Sequence, residues 1–200
     1  MNATATATVN TSAASNYDEA ADYIWNNSFD KPTLVVSRAR VGVQYDALQA
    51  GLGDARIHYA VKANPAPEII RMLVERGSGF DAASRQEIEL CLSQGADPAK
   101  ISFGNTIKRG VDIAFAHSIG VTMFAADCEA ELDKIAEHAP GARVYIRLIV
   151  ENSMADWPLT RKFGCAGSLL PSLLEYTKSV GLVPYGLSFH VGSQTRRAEY

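Results

Sequence analysis

The residues able to do chemistry stand at the ends of apolar, strand-like runs. Lys62 closes one of them, in Tyr59-Ala-Val-Lys62-Ala-Asn64-Pro65, where the chain turns at once into a helix-like segment. An ammonium group inside a strand loses its water, which is costly unless it is paired or neutralised. The carboxyl end of a strand is different, because parallel α/β proteins place their chemistry there. A lysine in that position can give up its proton and attack a carbonyl carbon. The plainer reading is a lysine that ends a strand and points into water.

The same survey gives Asn64 beside Lys62; Asp81 and Ser84 after a second run; Asn105 after a third; Asp127 after a fourth; Arg147 in a fifth; and His190 and Ser193 at the sixth. Each has a bland explanation. Ser84 and Glu87 fit a helix capping box, Asp127 fits a helix N-cap, and Asn105 fits a turn. Arg147 lies inside Val144-Tyr-Ile-Arg147-Leu-Ile149 and needs either a buried anion or a polar mouth. His190, in Leu187-Ser-Phe-His190-Val191, reads equally as a hydrogen-bonded structural histidine. Gly192-Ser193 after it offers backbone amides and a hydroxyl to an anion.

The elements that position these residues alternate. A short helix is expected over Tyr17–Asn27, a strand over Pro32–Ser37 and a helix over Gln44–Leu52, ending at Gly53. Strands then follow at Arg56–Lys62, Gly79–Ala83, Ile101–Phe103, Val121–Ala125, Arg143–Val150 and Val183–Val191. Helices fall between them at Pro65–Arg76, from Ser84, at Lys108–Ser118, from Asp127 to His138, and at Leu169–Val180; Glu151–Gly167 is irregular. Pro65 suits a first helical turn, and Ile69, Ile70, Leu73 and Val74 form one apolar face.

Six strands alternating with helices imply a parallel sheet. An open doubly wound sheet would carry a glycine-rich turn after its first strand. Here that turn is Lys62-Ala-Asn64-Pro65, without glycine. The eight-fold α/β barrel of the TIM type is the expected fold. Such a barrel has eight strands and typically about 250 residues, so this chain of 200 residues reads as a partial barrel of six βα units.

Composition narrows the function. The net charge is −3, and lysine and arginine are scattered, which excludes a polyanion-binding stripe and leaves no nucleic-acid partner. No stretch has the length of a membrane span. Cys91, Cys128 and Cys165 are distant and odd in number; they suit a reducing cytoplasm and no disulfide framework. His58, His117, His138 and His190 fall in different elements, so no metal site is expected. Residues 1–16 are mostly Ala, Thr, Ser and Asn, read as a disordered tail before a domain at 17–200.

Four segments together resemble one family: Tyr59-Ala-Val-Lys62-Ala-Asn64, Gly79-Phe-Asp81-Ala-Ala-Ser84-Arg-Gln-Glu87-Ile88, Arg161-Lys-Phe-Gly164 and Ser188-Phe-His190-Val-Gly-Ser193. They are similar to the fold-type III pyridoxal-phosphate decarboxylases of basic amino acids, with the strongest resemblance to the bacterial ornithine enzymes. The resemblance runs from about Pro32 to Gln194 and implies pyridoxal 5'-phosphate as cofactor. It implies that Lys62 carries the cofactor as a Schiff base, that His190 stacks on the pyridine ring and that Ser193 bonds the phosphate. Asp81 and Arg147 match positions lining the cofactor pocket. Asp81 would help hold His190, with Glu87 behind it. The implied reaction is L-ornithine to putrescine and carbon dioxide, in a cytoplasmic homodimer. Lysine or diaminopimelate decarboxylation, racemisation, or a non-catalytic cofactor-binding relative remain alternatives.

The resemblance also implies parts that these residues do not include: a glycine-rich phosphate loop, an acidic partner for the pyridine nitrogen, and a C-terminal β domain to which strand Pro32–Ser37 would belong. The 200-residue chain alone is therefore expected to be inactive or nearly so. Amine production by the purified chain measures this, and turnover at an ordinary enzymatic rate would contradict it.

Overall fold

The computed structural model describes residues 16–150, 155–157 and 162–195. The chain divides into two compact units, Met1–Ala55 and Arg56–Tyr200. The first holds helices α1 (Asn16–Trp25) and α2 (Arg38–Leu52). The tail expected over residues 1–16 lies outside the described residues, apart from Asn16.

Two expectations for this unit need correction. Helix α2 starts well before Gln44, because the Ser37 hydroxyl accepts from the Arg40 amide at 3.3 Å and caps it. The strand expected over Pro32–Ser37 does not form. Its backbone has no ladder partner among the described residues, and Leu34 is 85% exposed. β-Propensity without a neighbouring strand does not make a strand.

The second unit contains strands β1 (His58–Ala60), β2 (Gly79–Ala82), β3 (Ile101–Phe103), β4 (Met123–Ala126), β5 (Arg143–Arg147), β6 (Ala155–Trp157), β7 (Val183–Ser188) and β8 (Ser193–Thr195). Helices α3 (Pro67–Glu75), α4 (Arg85–Ser93), α5 (Gly110–Ser118), α6 (Glu129–His138) and α7 (Leu170–Ser179) connect them. Six strands form one parallel sheet in the order β1-β2-β3-β4-β5-β7. The order follows the chain without reversal. A doubly wound sheet reverses at a switch point; a sheet that keeps winding one way is an arc of a barrel. The pair β6 and β8 is antiparallel, with Trp157 opposite Ser193, and was not expected from the sequence.

The strand registers sort the side chains onto two faces, since neighbours alternate along each strand. Phe80 lies beside Ile101, and Phe103 beside Phe124, which lies beside Val144. All five are buried under the helices. The Phe103 and Phe124 rings pack at 6.2 Å with planes tilted by 37°. Helix α3 contributes Ile69, Ile70 and Leu73 to this layer, and α6 contributes Leu132 and Ile135. The opposite face carries Asp81, Ser102, Met123 and Tyr145, so the concave side of the arc is unusually polar.

Strands β1, β2, β5 and β7 end earlier than the sequence suggested, β3 matches its expected range, and β4 begins and ends later. β1 stops at Ala60 and the chain tightens into a 3₁₀ turn over Val61–Ala63. β7 stops at Ser188, two residues before His190. Lys62 and His190 therefore sit in turns on the rim, not in the strands themselves.

Phe124 has no solvent exposure. Phe124→Ala should lower the unfolding free energy by about 3–5 kcal/mol in urea titration. A loss under about 1 kcal/mol would place this ring outside the core.

Candidate functional site

The rim at the carboxyl ends of the strands brings the singled-out charges together. Asp81, on β2, is mostly buried. Ser102 on β3 donates to its Oδ1 at 2.9 Å. Burial raises the Asp81 carboxyl above its ordinary value. The Ser102 bond and the positive charges of Lys62, His58 and Arg147 oppose that rise. Asp81 is thus the acceptor that Lys62, from the turn after β1, and Arg147, from the end of β5, share within electrostatic reach.

His190 is half-buried, and its Nδ1 accepts from the Gly192 amide at 2.8 Å. Gly192 has φ of 95°, a backbone state that costs a side-chain-bearing residue and that turns the amide back toward the ring. With Nδ1 accepting, the neutral ring carries its proton on Nε2. Burial lowers the His190 pKa, and the charges of Arg147 and Lys62 lower it further. Geometry and electrostatics therefore agree on an uncharged imidazole at neutral pH.

Ser193 begins β8 and is exposed. Asn64 has turned inward on its own loop: its Oδ1 accepts from Ala66 at 3.1 Å, opening α3. The capping box is present, with the Ser84 hydroxyl accepting from Glu87 at 3.3 Å and the Glu87 Oε2 accepting from Ala83 at 2.6 Å. Glu87 thereby fixes the turn directly after Asp81. Asn105 is a turn residue whose Nδ2 donates to the Ala83 carbonyl at 3.4 Å. Asp127 does not cap α6; that position belongs to Cys128, without a side-chain bond. Its Oδ2 accepts instead from the Gly164 amide at 2.7 Å. An amide from another loop has taken the carboxylate that a local cap would have used.

That bond explains the Arg161-Lys-Phe-Gly164 segment. A Cβ on Gly164 would lie 2.8 Å from the Leu148 carbonyl carbon, so only glycine lets this loop press on the end of β5. Cys165 then bonds the Arg147 carbonyl at 2.9 Å. Phe163 sits 5.5 Å under the Arg147 guanidinium, a cation–π contact that holds the arginine in place. Arg161 lies outside the described residues.

Lys108 was expected to start a helix and lies just before α5 instead. Its ammonium is buried, 2.8 Å from Glu131 Oε1, and donates to the carbonyls of Asn105 at 2.8 Å and Ala125 at 2.6 Å. Lys134 closes the cluster at 2.6 Å from Glu131 Oε2. Burial lowers the Lys108 pKa, chiefly against the pull of Glu131. No short-range signal marks these partners, because Glu131 is 23 residues away. The cluster ties the ends of β3 and β4 to α6. Among the described residues no group of three or more His, Cys, Asp or Glu could hold a metal ion.

The family model for the pyridoxal-dependent decarboxylases, pyridoxal binding domain, matches residues 38–200. The chain belongs to this family. It is 38% identical to the Aspergillus flavus protein named Decarboxylase flvG, over 86% of this chain and 40% of that protein. It is 37% identical to the lysine/ornithine decarboxylase of Selenomonas ruminantium, over 82% of this chain and 42% of that protein. A crystal structure of lysine decarboxylase from Selenomonas ruminantium superposes with TM-score 0.80 at 34% identity, covering 91% of this chain and 47% of that one. The chain thus spans about two-fifths of the length of the curated relatives it matches.

The residues present suit pyridoxal phosphate. A carbonyl needs an amine, and Lys62 is exposed at the rim. An aromatic ring needs a flat, uncharged surface, which His190 provides. An anionic group needs positive charge and hydrogen-bond donors, and Arg147 and the exposed Ser193 hydroxyl offer them.

The raised Asp81 value has a consequence for stability. The folded protein holds this proton to higher pH than the unfolded chain does. The associated stability is present below the unfolded-state value and is lost as pH rises through the folded-state one. Asp81→Asn keeps the Ser102 bond and removes the ionisation. Its urea midpoint should gain on that of the natural protein as pH rises from about 4 to about 7; a gap that stays constant would contradict the assignment.

Proposed function

We propose that the complete protein decarboxylates a basic amino acid with pyridoxal phosphate, and that L-ornithine, giving putrescine, is its substrate. The observation that carries this is the joining of Lys62, Arg147, His190 and Asp81 on one rim, in a chain of the pyridoxal-binding family. Pyridoxal phosphate, when bound, supplies an electron sink for the carbanion left as carbon dioxide departs.

The residues of this chain have separate tasks. Lys62 provides the amine that attaches the cofactor's carbonyl, and so must reach the rim and lose its proton there. His190 packs its neutral face on the ring, and the proton on Nε2 points away from the Gly192 contact. Ser193 and the backbone around it hold the phosphate oxygens. Arg147, pinned by Phe163, adds a fixed positive charge. Asp81 balances the cations, and Glu87 keeps the loop after it in place.

Ornithine is favoured over other substrates by the resemblance of the four segments. Lysine is the second reading, supported by the lysine/ornithine relative from Selenomonas ruminantium. A homodimer belongs to the proposal because the resemblance puts the other half of the site on a second subunit. A cytoplasmic location rests on three free cysteines. No described helix is long and apolar enough to cross a membrane.

Two measurements test this. Lys62→Ala in the complete protein should abolish covalent capture of pyridoxal phosphate, read by mass after borohydride reduction; a retained adduct would remove Lys62 from its role. Product amine should then be measured from ornithine, lysine, arginine and diaminopimelate in parallel. Highest kcat/KM on ornithine supports the assignment, while a preference for another member of the panel overturns the substrate and leaves the reaction class. Silence on all four overturns both.

A further inference from the structure

The concave face below the rim carries a second polar group that the reaction does not call for. Barrel interiors are filled mainly by bulky branched residues. Here His58 on β1, Ser102 on β3 and Tyr145 on β5 line a cavity of about 270 Å³, together with Met123 and the β7 residues Tyr185 to Leu187. Ser102 is buried, and its hydroxyl donates to Asp81 Oδ1 at 2.9 Å, with a longer contact of 3.4 Å to the Phe80 carbonyl. Tyr145 lies on the same concave face, where burial, and then the Asp81 charge, raise its pKa, so the phenol stays protonated. Gly104 completes the fit: a Cβ there would overlap Asp81 Oδ1.

We propose that Ser102, flanked by Gly104, is a positioning residue that fixes the Asp81 carboxylate and keeps it an anion facing Lys62 and Arg147. This rests on the reading of Asp81 as part of the cofactor pocket. The groups facing Asp81 are His58 and Lys62 from β1 and its turn, Ser102 from β3, and Tyr145 and Arg147 from β5. Of these, Ser102 alone is shown bonded to the carboxylate among the described residues. Donation into an ionised carboxylate is stronger than into the neutral acid, so the hydroxyl selects the anion. Ser102 thus acts on Lys62 and Arg147 through Asp81.

The test uses the complete protein, first without cofactor. The Asp81 carboxyl is titrated by carbon-13 NMR in the natural protein and in Ser102→Ala, Ser102→Thr and Ser102→Cys. Ser102→Ala should move the Asp81 midpoint upward by about one pH unit, a tenfold gain in proton affinity. Ser102→Thr, which keeps a hydroxyl, should restore it. Ser102→Cys, whose thiol is a weak donor, should move it in the same direction by less, and it serves alone if the alanine variant does not fold. An unmoved midpoint, or a threonine that fails to rescue, overturns the proposal.

The pH profile of pyridoxal phosphate capture by Lys62 is then recorded after borohydride reduction. The limb that follows Asp81 ionisation should shift with the NMR midpoint. If the midpoint moves and the capture profile does not, Ser102 holds Asp81 without serving Lys62, and the proposal fails there. If the natural protein captures nothing at Lys62, the functional reading fails instead, and the titration shows separately whether the carboxylate is held.

Discussion

One buried carboxylate sets the terms for the rim. Lys62, Arg147 and His190 converge there, and three cationic groups brought together repel one another. Asp81 is the anion within electrostatic reach of Lys62 and Arg147. The third group avoids the conflict by staying neutral: the Gly192 amide occupies His190 Nδ1, and the neighbouring charges disfavour a second ring proton. The arrangement is self-consistent, because the same charges that hold Asp81 toward its anion also hold His190 away from its cation. The result is one rim offering an amine, a flat neutral ring and a fixed positive charge.

The rest of the second unit keeps this balance in register. The parallel order β1-β2-β3-β4-β5-β7 puts all six strand ends on one side, and the ends of β2, β3, β4 and β5 are anchored by bonds from elsewhere. Glu87 holds the turn after β2. The Gly164 amide holds Asp127 after β4, and Cys165 holds the last carbonyl of β5. Lys108 spends its three protons on Glu131, Asn105 and Ala125, joining the ends of β3 and β4. A buried ion pair adds little net stability, since desolvation offsets its attraction. Its value here is geometric, because each partner loses heavily if the others move.

What could be read from the sequence follows the range of the interactions. Alternation of strands and helices, the barrel winding and the capping box at Ser84 and Glu87 depend on neighbours in sequence, and all were legible. So were Lys62, Asp81, Arg147 and His190 as polar groups at strand ends, since an ionisable residue closing an apolar run stands out locally. Asp127 was misread because its partner is 37 residues away, while the local pattern fitted a cap. Lys108 was misread for the same reason. The segment 32–37 has strand-forming residues and no strand to pair with. Ser102 looked like an ordinary strand residue; only the register, which sets Asp81 beside it, reveals it as a donor to that carboxylate.

The polar concave face is the strongest physical argument that this arc is built for chemistry. Burying a hydroxyl, a phenol and an imidazole where branched aliphatic residues would pack is unfavourable unless each is hydrogen-bonded. Ser102 meets that condition by donating to Asp81. His58 meets it less well: its Nδ1 has no hydrogen-bond partner among the described residues, and its ring lies where a Cβ on Gly79 would come within 2.8 Å. Its charge nonetheless counts toward the field at Asp81. An interior optimised for stability alone would not keep these groups. Their common property is that they all act on one carboxylate at the rim, so the layer beneath the site is spent on electrostatics, while the outer layer of Phe80, Phe103 and Phe124 carries the packing.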